Sequence, residues 1–92
     1  LVGHVGDGNF HFGYLLDPNI PEERVTAEDL NHKLVARALS MGGTCTGEHG
    51  VGVHKMGFLL DEAGAGAVDM MRAIKRALDP KNILNPGKIF AL

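Results

Sequence analysis

The chain has 92 residues, a formal net charge of −2 and 45% hydrophobic residues. Mixed charge of this kind argues against a nucleic-acid partner, which requires a basic stripe, and no apolar run approaches the ~20 residues that cross a bilayer. The single cysteine, Cys45, excludes an internal disulfide and fits a reducing compartment, so a cytoplasmic or membrane-peripheral location is expected. A chain this short buries only about 60–65% of its unfolded surface, which makes one small domain with a marginal core. Leu1 is not a starting methionine and the first motif opens at the fourth residue. The expectation is therefore a piece of a longer protein.

Residues 4–11 read HVGDGNFH, a glycine-rich acidic knot with an imidazole at each end. Asp7-Gly8 is a two-residue hairpin signal, because a type I′ turn needs positive φ at both central positions. With those residues at the centre, His4 falls opposite His11, and opposed side chains on one face stand roughly 5 Å apart. Pro18 and Pro21 then bound a loop, and Glu22 and Glu23 bring negative charge to a helix N-terminus. Ala27, Leu30, Leu34, Ala38 and Met41 form one helical stripe, widened by Val35 and Leu39 and stopped by Gly42-Gly43.

A short strand is expected at Thr44–Thr46, followed by the loop GEHGVG. A second helix starts between Met56 and Gly66 and runs to Leu78, with Val68, Met71, Ile74 and Leu78 on its buried face. Asp79-Pro80 ends it, since the residue before proline is biased away from the helical region. The turn-rich tail KNILNPGKIFAL is expected to pack Ile83, Leu84, Ile89 and Phe90 on the core. Together these elements read as α+β: a small antiparallel sheet with both helices packed on one face. Open sheet edges in such a piece would favour self-association into a homo-oligomer.

Three sets of ionisable groups could carry chemistry: His4, His11 and the pair Glu48-His49. Two imidazoles and a carboxylate are an ordinary ligand set for a divalent metal such as zinc, with a position left for substrate or water. Glycines beside each group let the backbone approach a small ligand closely. The same residues are also compatible with surface histidines that bind nothing. His32, near Lys33 and Arg37, reads as solvated, and Cys45 as a buried structural thiol. The run from Gly47 to Gly52 lacks the spacing and the surrounding βαβ unit of a dinucleotide fingerprint.

HVGDGNFH, GGTCTGEHGVG and ALDPKNILNPGKIF, in that order across essentially the whole chain, closely resemble the C-terminal end of the FAD-linked oxidase family. That family holds D-lactate dehydrogenases, the flavin subunit of glycolate oxidase and D-2-hydroxyglutarate dehydrogenase. The resemblance implies that residues 1–92 are the C-terminal part of a ferredoxin-like α+β substrate (cap) domain, with the FAD-binding domain outside this chain. It implies oxidation of a small-molecule D-2-hydroxy acid, with FAD as cofactor and a divalent metal, commonly zinc, held at His4, His11 and Glu48. His49 would take the hydroxyl proton, and Asn85 would contact the flavin. Some members carry an asparagine two residues after the second histidine; Gly13 stands there in this chain, and TCTGEHGVG is nearer the lactate or glycolate branch. A different class of reading is a non-catalytic α+β module for ligand sensing or oligomerisation. A metal-dependent hydrolase would need a water-activating carboxylate beyond Glu48, and Asp7 is the nearby candidate.

Overall fold

A computed structural model describes all 92 residues, from Leu1 to Leu92. Three α-helices make up the regular structure: α1 at Pro21–Ser40, α2 at Met56–Ala63 and α3 at Ala65–Leu78, preceded by a single 3₁₀ turn at Val5–Asp7. There is no strand and no sheet, so the fold is helical rather than α+β. The chain divides into two compact units, Leu1–Glu48 and His49–Leu92.

In the first unit the expected hairpin closes differently. The His4 carbonyl accepts the N–H groups of Asp7 at 2.9 Å and Asn9 at 3.3 Å, and the Val5 carbonyl accepts that of Gly8 at 3.0 Å. The His4 N–H is also engaged, donating to the Asn9 side-chain oxygen at 2.9 Å. With both backbone groups of His4 bound inside the turn, neither can join a ladder to His11. Pairing moves outward to a single antiparallel bridge between Val2 and His11. A type I′ turn fails because Gly8 takes positive φ (78°) while Asp7 stays in the 3₁₀ turn. Gly3 is required at this crossing, since a Cβ there would stand 2.5 Å from the Phe10 Cα.

Helix α1 follows its sequence signals. Pro21 takes the first helical position and Glu22 and Glu23 the first turn, while Arg37 lies in the last. Asp17 and Glu23 also tie the entry together: the Asp17 N–H donates to Glu23 Oε2 at 2.7 Å. At the far end the N–H groups of Gly42 and Gly43 return to the carbonyls of Leu39 and Ala38, the paired bonds of a Schellman stop. Ala27 is buried and Leu34, Val35, Ala38 and Leu39 are half-buried, whereas Leu30 and Met41 of the expected stripe are exposed. The expected strand at Thr44–Thr46 is irregular, with a bend at Cys45 and Thr46. The Thr44 hydroxyl accepts the Thr46 N–H at 3.4 Å, a local bond that competes with ladder pairing. Cys45 is buried there, outside any disulfide.

In the second unit the expected single helix is two. Gly64 breaks it with φ 83° and ψ 160°, a conformation that only glycine adopts without strain. Helices α2 and α3 pack together, with Leu59 and Val68 buried. The covered face of α3 runs through Val68, Met71, Arg72, Lys75 and on to Asp79, whereas Ile74 and Leu78 are exposed. In the tail only Phe90 is half-buried; Ile83, Leu84 and Ile89 stay exposed. The Ile89 N–H reaches the Gly52 carbonyl at 2.7 Å.

Candidate functional site

The short Val2–His11 bridge fixes the backbone of His11, and the 3₁₀ turn carries His4 back toward it. His4 and His11 are therefore not opposed residues of a ladder, yet both rings meet the same group. His11 Nε2 stands 2.9 Å from Glu48 Oε1, and His4 Nε2 stands 3.9 Å from the same oxygen. A carboxylate can only accept, so His11 Nε2–H is the donor in the shorter contact. The three groups are accessible without being fully exposed: the side chains are 68%, 32% and 40% exposed for His4, His11 and Glu48. Asp7 sits in the 3₁₀ turn and has no part in this contact set.

The donor chemistry of this set fits a divalent cation. A tetrahedral ion with ligands at ~2.0–2.1 Å separates neighbouring ligand atoms by about 3.3 Å. His11 Nε2 and Glu48 Oε1 stand closer than that, at 2.9 Å, and His4 Nε2 lies farther out, at 3.9 Å, so His11 and Glu48 are the nearer donors and His4 the outer one. Two neutral imidazoles and one carboxylate also supply the nitrogen–oxygen ligand mix that zinc accepts.

Of the other candidates, His49 follows Glu48 directly in the chain, is exposed and opens the second unit. Asn85 lies in the tail of that unit, exposed, with φ 45°. Its carboxamide makes no hydrogen bond within the chain, so one donor-and-acceptor group is left for a ligand.

Pattern reading passed over a second polar cluster, just before Asn85. Asp79 is buried, at 6% exposure. Its Oδ1 accepts the Ile83 N–H at 3.0 Å and its Oδ2 the Leu84 N–H at 2.9 Å. The Lys75 ammonium donates to Asp79 Oδ2 and to the Leu84 carbonyl. Lys75, helped by the Leu84 and Ile83 amides, holds the Asp79 carboxyl down to about 2 from its ordinary 3.8, against the opposing effect of burial. The signal was present in the sequence as Lys75 and Asp79 four residues apart at a helix end, but Asp79-Pro80 reads first as a helix stop.

Comparison with known proteins places the site in a family. Residues 1–89 match the model for the FAD linked oxidases, C-terminal domain, and the chain belongs to that family. It is 54% identical over 97% of its length to the D-lactate dehydrogenase [cytochrome], mitochondrial, of Arabidopsis thaliana. It is 44% identical over 97% of its length to the glycolate oxidase subunit GlcD of Bacillus subtilis, and 42% identical over 96% to the D-2-hydroxyglutarate dehydrogenase of Xanthomonas citri pv. viticola. The chain spans only 16%, 19% and 19% of the lengths of these three relatives. No helix is long and apolar enough to cross a membrane.

Proposed function

We propose that the chain is the C-terminal, substrate-side portion of a flavin-dependent dehydrogenase that oxidises a D-2-hydroxy acid of the lactate or glycolate type to the 2-oxo acid. The observation that carries this reading is the meeting of His4 and His11 Nε2 at one oxygen of Glu48 in a member of the FAD linked oxidase family. Identity to the D-lactate dehydrogenases, at 54% for the plant and yeast proteins, favours lactate over hydroxyglutarate, whose dehydrogenase stands at 42%. The word cytochrome in the names of those plant and yeast relatives makes a cytochrome the proposed acceptor downstream of the flavin.

In this reading His4, His11 and Glu48 hold a divalent cation, with zinc the ion their chemistry suits. The cation, when bound, polarises the substrate oxygens and lowers the hydroxyl pKa. His49 accepts the hydroxyl proton on a ring nitrogen while the α-hydrogen leaves as hydride and the C–O bond becomes a carbonyl. FAD, bound mainly by the remainder of the full-length protein, supplies the two-electron acceptor. Asn85 offers its carboxamide to the polar edge of the flavin ring. Glu48 offsets one of the cation's two positive charges. Gly13 contributes no side chain to substrate binding, which suits a small hydroxy acid without a second carboxylate.

The test is anaerobic mixing of the full-length flavoprotein with D-lactate, glycolate and D-2-hydroxyglutarate, followed by flavin bleaching. Rapid bleaching by D-lactate or glycolate is expected. An oxidised flavin that persists with both of them overturns the reading.

A further inference from the structure

Four hydrogen bonds fasten residues 82–84 to the end of α3. The Asp79 carbonyl accepts the Asn82 N–H at 2.9 Å, the Asp79 carboxylate accepts the amides of Ile83 and Leu84, and Lys75 holds the Leu84 carbonyl. Asn82 and Asn85 flank this stretch at φ 51° and 45°, left-handed conformations that a free chain seldom populates. A buried ion pair is weak support for stability, because its desolvation offsets much of its attraction. What this pair fixes without ambiguity is the backbone direction immediately before Asn85, whose carboxamide has no partner within the chain.

We propose that Lys75 and Asp79 are positioning residues for Asn85: the pair clamps residues 82–84 so that the Asn85 carboxamide is presented in one orientation to the flavin. This role rests on the reading of Asn85 as a flavin contact. Neither Lys75 nor Asp79 touches the reacting atoms; both act through the backbone that Asn85 continues.

The full-length protein tests it, with FAD affinity read by titrating the apoprotein and the flavin environment read from its visible absorption band. Asn85→Ala and Asp79→Asn should each weaken FAD binding by up to about tenfold, the upper end for one lost neutral hydrogen bond, and shift the band in the same direction. The Asp79→Asn/Asn85→Ala double variant should be little worse than either alone, because both changes remove one contact. Lys75→Met keeps both amide bonds to Asp79, so it reports on the clamp without removing the carboxylate, and should shift the band the same way. Lys75→Arg should stay near the wild type. The proposal is overturned where Asp79→Asn and Lys75→Met lower the melting temperature but leave affinity and band unchanged, or where the double variant multiplies the single effects. If Asn85→Ala alone changes neither readout, the flavin role of Asn85 falls and the clamp falls with it. If Asn85→Ala changes both and Asp79→Asn neither, only the clamp is lost.

Discussion

His11 shows how a register other than the expected one still brings two imidazoles to one carboxylate. It pairs with Val2 instead of His4, yet both imidazoles lie within 4 Å of Glu48 Oε1. The ring positions depend on the 3₁₀ turn and on Asn9, whose side chain holds the His4 N–H. His49 is assigned the proton transfer, so His49→Ala in the full-length enzyme should slow flavin reduction by ~10²–10⁴-fold, the usual worth of a general base. Stopped-flow absorbance with D-lactate measures it, and a wild-type rate removes His49 from the role. Asp79 makes a separate statement about pH. Its folded pKa of about 2 lies below the ordinary 3.8, so its stabilising effect is complete above about pH 4 and fades as pH falls toward 2. The melting-temperature gap between wild type and Asp79→Asn should therefore shrink over that interval; a gap that is constant with pH contradicts the assignment.

At the scale of elements, local signals were readable wherever they outweighed their surroundings. Pro21, Glu22 and Glu23 at one end and Gly42-Gly43 at the other bounded α1 to within a residue or two. Asp79 ended α3 as Asp-Pro requires. The expected strands do not form because hydroxyl, amide and carbonyl groups find closer partners: Thr44 takes the Thr46 N–H, the 3₁₀ turn takes the His4 carbonyl, and the Asn9 side chain takes the His4 N–H. Apolar periodicity also failed to show which face of α3 is covered, since a buried Lys75–Asp79 pair lies on that face and Leu78 does not. Of the site, the residue types were legible in HVGDGNFH and GEHGVG, while the meeting of His4 and His11 at Glu48 depended on a turn whose geometry the pattern did not give. Gly64 separates α2 from α3 at φ 83° and ψ 160°. Gly64→Ala should destabilise the protein by about 1–3 kcal/mol, the usual cost of a residue held in that region, read as a lower melting temperature with an unchanged flavin spectrum. An unaltered melting temperature would mean the two helices can merge.

Over the whole molecule, little apolar surface is hidden. The first unit buries Ala27 and Cys45, the second Leu59 and Val68, and no side chain falls below 2% exposure. Large residues such as Leu15, Met41 and Leu78 face outward at 102%, 72% and 79%. Two such cores cannot offset the conformational entropy of their residues. Expressed alone, residues 1–92 should melt without cooperativity and bind an apolar dye; a sharp two-state melt would contradict that. Without a sheet there is no open strand edge of the kind expected to favour self-association. The function proposed here stands or falls on the cation. Elemental analysis of the purified full-length protein should find about one divalent metal per flavin, and at least about tenfold less in Glu48→Gln, since even indirect partners of a metal ligand are worth that much. Equal metal in both proteins, or none in either, would contradict a cation held by His4, His11 and Glu48.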